Sequence, residues 1–90
     1  MSTLEGLRAQ IDEIDNEVIR LLDKRLQVSL QVKEYKKVNN MDVLDSSREQ
    51  IILDKIDAYE CDELIKQQIH KIYGAILGTS KEVQKWKSLG

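Results

Sequence analysis

The sequence predicts an all-α fold of three helices, one of them very long, assembled as a homodimer. Three observations lead there. The 90 residues contain no proline and no phenylalanine, and a composition of 41% hydrophobic and 33% charged residues suits helices better than a turn-rich β-fold. Apolar residues recur at helical spacing from Leu4 to Tyr35. The resulting helix, ~36 residues and ~54 Å long, cannot be covered by its own chain, because a compact globule of this size has a radius of gyration of only ~12 Å.

Ser2 followed by Glu5 has the form of a capping box, so the first helix is expected over about residues 3–38. Its seam reads Leu4, Leu7, Ile11, Ile14, Val18, Leu21, Arg25, Val28, Val32, Tyr35, the three-four alternation of helices packed side by side. The same seam of a second copy is its natural cover, which makes a two-fold dimer the expected solution. Asn39 and Asn40 are stop residues, and Asp45-Ser46-Ser47-Arg48-Glu49 offers N-cap side chains with an acid at the third helical position. A second helix is expected over about 46–59, carrying Ile51, Ile52, Leu53 and Ile56. Asp62 caps a third over about 62–87, in which Gly74 and Gly78, four apart, are placed to permit close helix approach.

Nothing divides the chain, so residues 1–90 read as a single domain. A formal net charge of -2 argues against a general nucleic-acid or membrane-surface binder, and any anionic ligand has to be met by locally placed cations. Cys61 stands alone, which rules out an intrachain disulfide, fits a reducing compartment and offers no metal cluster. With neither a secretory leader nor an apolar run near ~20 residues, a cytoplasmic location is expected.

Several polar residues interrupt this pattern. Arg25 occupies a seam position where an aliphatic residue is expected, and a guanidinium there is costly unless an anion satisfies it. Taken alone, it is equally a register-fixing polar residue or the partner of an internal acid. Lys36 lies ~16 Å further along the axis but only ~20° around it, so both side chains can reach one small ligand. Arg8 lies ~25 Å from Arg25 and is rotated by roughly 100°, so it can join the same site only from a partner chain. In isolation, Lys36 and Arg8 are ordinary solvated charges. Asp45, Arg48 and Glu49 share one side of the second helix's first turns, where capping alone would explain the acids. Along the third helix the stripe Tyr73, Leu77, Ser80, Gln84 turns from apolar to polar, as either a pocket wall or a stripe leaving the core would.

Taken together, Arg8, Arg25, Lys36, the run Asp45-Ser-Ser-Arg48-Glu49 and Ser80-x-x-x-Gln84 resemble, in order and spacing over nearly the whole chain, the all-α (AroQ-type) chorismate mutase family. The resemblance implies an intertwined dimer whose two active sites each draw on both subunits. It implies that Arg25 and Arg8 of the partner subunit grip the two carboxylates of chorismate with help from Ser80, Arg48 adding electrostatic support. Lys36 and Gln84 would donate to the ether oxygen of the breaking C–O bond, while Glu49 and the backbone near Asp45 hold the ring hydroxyl. The reaction is an intramolecular rearrangement to prephenate, on the route to phenylalanine and tyrosine, and needs no cofactor, metal, acid or base; preorganisation and fixed cations suffice.

Residues 39–45 lack the proline that many relatives carry before the second helix, which implies a looser loop and a less firmly held Lys36. The chain ends soon after Gln84, as expected of a stand-alone enzyme without a fused dehydratase or dehydrogenase domain. His70, Trp86 and Cys61 have no place in the pattern. Two rival readings stay open: an isochorismate-pyruvate lyase on the same fold, and a non-catalytic helical dimerisation module in which Arg25 only sets register.

Overall fold

A computed structural model of the chain describes residues 3–42 and 45–86, Trp86 by its backbone alone. Its elements are α1 (Leu4–Val38), α2 (Ser46–Ala58) and α3 (Glu63–Trp86), with no strand among the described residues. The fold is all-α.

Each helix end has a local chemical cause. The cap of α1 is Thr3, whose Oγ1 accepts from the Gly6 amide at 3.0 Å; this moves the cap one residue beyond the expected Ser2, which lies outside the described residues, and puts Glu5 too early for a capping box. At the other end Asn40 adopts φ 54°, a left-handed conformation that asparagine tolerates. The Met41 amide donates to the Lys36 carbonyl at 2.8 Å and the Asn40 amide to that of Lys37 at 3.4 Å, the paired bonds of a Schellman motif. The closure engages the Lys36 carbonyl, whereas residues 43 and 44 of the loop expected to be looser lie outside the described residues.

Asp45 caps α2, its carboxylate accepting from the Arg48 amide at 3.0 Å. With the cap at 45, Glu49 is the fourth helical residue, not the third as expected. Asp62 starts α3 by accepting from the Leu64 amide at 2.9 Å. The α2–α3 turn is tied by Lys66 Nζ donating to the Asp57 carbonyl and by His70 Nε2 against the Asp57 carboxylate, both at 2.7 Å.

α3 packs against both other helices. It runs antiparallel to α2, since Asp57 meets His70 at one end of the pair and Glu49 meets Lys81 at the other. The chain measures 56 × 28 × 14 Å with a radius of gyration of 16.5 Å, well above the ~12 Å of a compact globule. A thickness of 14 Å is little more than one helix, ~10–12 Å across, so the three helices form one layer with nothing stacked upon it. Ile56 is accordingly the only buried apolar side chain among the described residues.

α1 carries two stripes. Leu22, Leu26, Ser29, Leu30 and Lys33 are buried or half-buried. The other stripe, the nine apolar positions of the seam, is exposed by between 39% (Val32) and 65% (Tyr35). Gly74 and Gly78 do not serve a close approach within the chain, since a Cβ built on either meets nothing within 4 Å.

Candidate active site

The three helices converge on a cleft of about 420 Å³. α1 contributes Arg25, Val28, Ser29, Val32 and Lys36; α2 contributes Ile52, Arg48 and Glu49, together with Asp45 at its cap; α3 contributes Leu77, Ser80, Lys81 and Gln84. Seven of the eight site residues expected from the sequence therefore line one space. The volume lies in the range of small-molecule sites.

The eighth, Arg8, is exposed on the N-terminal part of α1 and stands apart from this cleft. The 17 residues separating it from Arg25 on one continuous helix set them ~25 Å apart, more than a flexible side chain can span. Tyr73 faces a neighbouring apolar hollow with Ile56, Tyr59 and Ile69, so the expected α3 stripe divides: Leu77, Ser80 and Gln84 face the cleft and Tyr73 does not.

Arg25 is held in place without being neutralised. Its Nη1 donates to Ser80 Oγ, and among the described residues no carboxylate forms an ion pair with it. The Ser80 hydroxyl in turn donates to the Ile76 carbonyl at 3.0 Å, which leaves the oxygen lone pairs turned to the guanidinium. A serine in mid-helix that bonds back to its own turn is thus made into an acceptor aimed across the helix interface. Ser80 and Gln84 are both buried, so these polar groups are fixed features of the wall.

Electrostatically the wall is lopsided. Arg25, Lys36, Arg48 and Lys81 supply four cationic side chains against the two acids Asp45 and Glu49. Asp45 is turned to the positive end of α2 by its bond to the Arg48 amide, and Glu49 Oε1 is 3.0 Å from Lys81 Nζ. The lining side chains therefore sum to a net charge of two positive. Such a surface suits a small dianion, with guanidinium groups matched to carboxylates.

Lys81 and Lys33 were missed in reading the sequence. Lys81 directly follows Ser80, but its pairing with Glu49 links residues on different helices and leaves no local trace. Lys33 is only 5% exposed, buried on the α3-facing stripe where its position on α1 gave a signal that the seam reading passed over. His70, given no role from sequence, ties α2 to α3 through Asp57. Among the described residues no three His, Cys, Asp or Glu side chains are grouped as a metal site requires, and no helix is long and apolar enough to cross a membrane.

The bifunctional chorismate mutase/prephenate dehydratase of Aquifex aeolicus is 38% identical over 56 residues, covering 62% of this chain and 16% of the relative. The bifunctional protein of the same description from Buchnera aphidicola subsp. Schizaphis graminum is 38% identical over 53 residues, 59% of this chain and 14% of its own length. The chain thus spans about a sixth of these two relatives. The chorismate mutase of Methanocaldococcus jannaschii is 30% identical over 83 residues, 91% of this chain and 84% of that protein. The family described as chorismate mutase type II matches over residues 7–85, a span that contains all three helices' contributions to the cleft, and the chain belongs to that family.

Proposed function

We propose that this chain is a chorismate mutase that rearranges chorismate to prephenate, working as a homodimer on the route to phenylalanine and tyrosine in the cytoplasm. Residues 1–90 act as one domain, and the lone Cys61 fits a reducing compartment. The observation that carries the reading is the cleft itself: an unneutralised Arg25, aimed by Ser80, faces a cavity with a surplus of two positive charges in a member of this family.

The chemistry asks little else of the protein. A [3,3] rearrangement breaks one C–O bond and forms one C–C bond within a single molecule, so no proton, nucleophile or electron has to be delivered. Two things accelerate it. The substrate must be held folded, with its reacting ends in contact, and growing negative charge on the ether oxygen must meet donors already in place. Arg25 binds one carboxylate of the dianion and Arg48 adds positive potential. Lys36 and Gln84 donate to the ether oxygen, and Glu49 with the backbone near Asp45 accepts from the ring hydroxyl. Arg8 of the partner subunit takes the second carboxylate, for which the chain's own Arg8 is too distant.

Dimerisation is supported by surface area. The chain exposes 7608 Å², against roughly 5,400 Å² for a compact monomer of its mass. The surplus of ~2,200 Å² per chain, or ~4,400 Å² over two chains, lies within what obligate homodimers bury in total, and the exposed seam of α1 supplies the apolar strip for it.

The direct test is to incubate the purified chain with chorismate and identify the product. Prephenate is expected, with Arg25→Ala nearly inactive. Pyruvate released from isochorismate, with chorismate untouched, would move the assignment to a lyase; no turnover of either would leave a dimerisation module.

A further inference from the structure

We infer that Lys81 is a positioning residue of this site, whose ion pair with Glu49 lets a carboxylate take part in binding a dianion. The inference rests on the chorismate reading above. It starts from a conflict. Glu49 lines a cleft whose other features favour negative ligands, and it is the right group to accept a hydrogen bond from a hydroxyl. Its charge would nevertheless repel both carboxylates of the ligand at close range, where the half-buried wall screens poorly.

Lys81 resolves the conflict geometrically. Its Nζ lies 3.0 Å from Glu49 Oε1, from the facing helix α3, and the two side chains are 34% and 30% exposed, so the pair sits in the wall and not out in solvent. Both residues line the cleft. Only one carboxylate oxygen is needed for the pair, which leaves Oε2 to accept from the ligand while the net charge of the Glu49–Lys81 unit is zero. Asp45 needs no such partner, because the N-terminus of α2 already faces it. Without Lys81 the surplus of the wall falls from two positive charges to one. Lys81 therefore touches Glu49 rather than the reacting atoms, and governs affinity more than the chemical step.

The test uses the full chain, chorismate as the probe, and four variants: Lys81→Met, Lys81→Arg, Glu49→Gln and the double variant Lys81→Met/Glu49→Gln. Lys81→Met is expected to raise KM about tenfold with kcat changed less than about threefold, as fits one displaced charge in a partly screened wall. Lys81→Arg keeps KM within about threefold of wild type. The decisive arm is the double variant. Removing the acid makes its counter-charge unnecessary and restores the wall's surplus of two positive charges, so KM should fall well below that of Lys81→Met. If Lys81 only clamped α3 to α2, the double variant would lack the clamp as well and bind no better than Lys81→Met, and the inference fails. It fails equally if Lys81→Met leaves KM unchanged. Thermal melts of the variants, with Lys81→Gln replacing Lys81→Met if the latter does not fold, keep docking losses separate. A wild-type chain that leaves chorismate unchanged instead overturns the functional reading beneath it.

Discussion

The two halves of α1 are built for different neighbours. From about residue 22 onward the helix has α3 on one side and the cleft on another, and its polar residues Ser29 and Lys33 are buried. Over residues 4–21 none of the described residues buries it: the seam from Leu4 to Leu21 is exposed although it is as apolar as a core. One half has part of its surface covered within the chain and lines the cleft; the other has an exposed hydrophobic strip and carries Arg8 beside it. The contrast teaches that the cleft and the uncovered strip are two ends of one continuous helix, so that on the proposed reading a second copy on the strip would also complete the site.

The largest effect expected is on the ligand side of that contrast. Arg25→Ala should lower kcat/KM several hundredfold, about 3–4 kcal/mol of transition-state stabilisation, while leaving the thermal midpoint near wild type, because the guanidinium has no acid to orphan. Steady-state kinetics with a parallel melt checks both halves of the statement. Loss of fold together with activity would mean that Arg25 is a structural residue.

Next comes a test of whether the two ends meet. Arg8→Ala and Arg25→Ala should each be nearly inactive, yet their mixture, after unfolding and refolding together, should recover about a quarter of wild-type activity. Half of the dimers are then mixed, and each mixed dimer has one intact site out of two. No recovery would show that Arg8 acts, if at all, within its own chain. On the assembly side alone, Ile14→Glu places a charge in the seam and should convert the dimer to an unstable monomer by light scattering.

A smaller, qualitative effect distinguishes Gln84 from a titrating donor. The side-chain amide does not titrate, so turnover should vary little between roughly pH 6 and 8. Gln84→Glu should instead be active only with its carboxyl protonated, so its rate should rise as pH is lowered. A wild-type profile that is steeply acid-only would remove Gln84 from the ether oxygen. The smallest effect is local: Asn40→Val places a β-branched residue at φ 54° and should cost about 1–2 kcal/mol by denaturant titration, with activity reduced only as far as the last turn bearing Lys36 loosens.

Much of this was legible in the residues. The seam of α1 is a local periodicity, and the stops at Asn39–Asn40 and the starts at Asp45 and Asp62 are each one side chain answering one helix end, so they could be read by position. The displaced Arg25 was visible because it breaks that periodicity. Thr3 in place of Ser2 shows the limit of such reading, since two adjacent hydroxyls are equivalent until the first turn chooses one. Gly74 and Gly78 show another: a spacing permits a close approach without supplying the helix that would make it.

What the chain's sequence determined alone is therefore whatever depends on neighbours three or four residues apart: the helices, their ends, the apolar strip and the cations that interrupt it. Only tertiary structure decided that Ser80 turns its oxygen to Arg25, that Lys81 answers Glu49, and that Tyr73 falls outside the cleft while Gln84 falls within it. Those contacts join residues on different helices, and their geometry follows from how the helices cross, which no local spacing encodes.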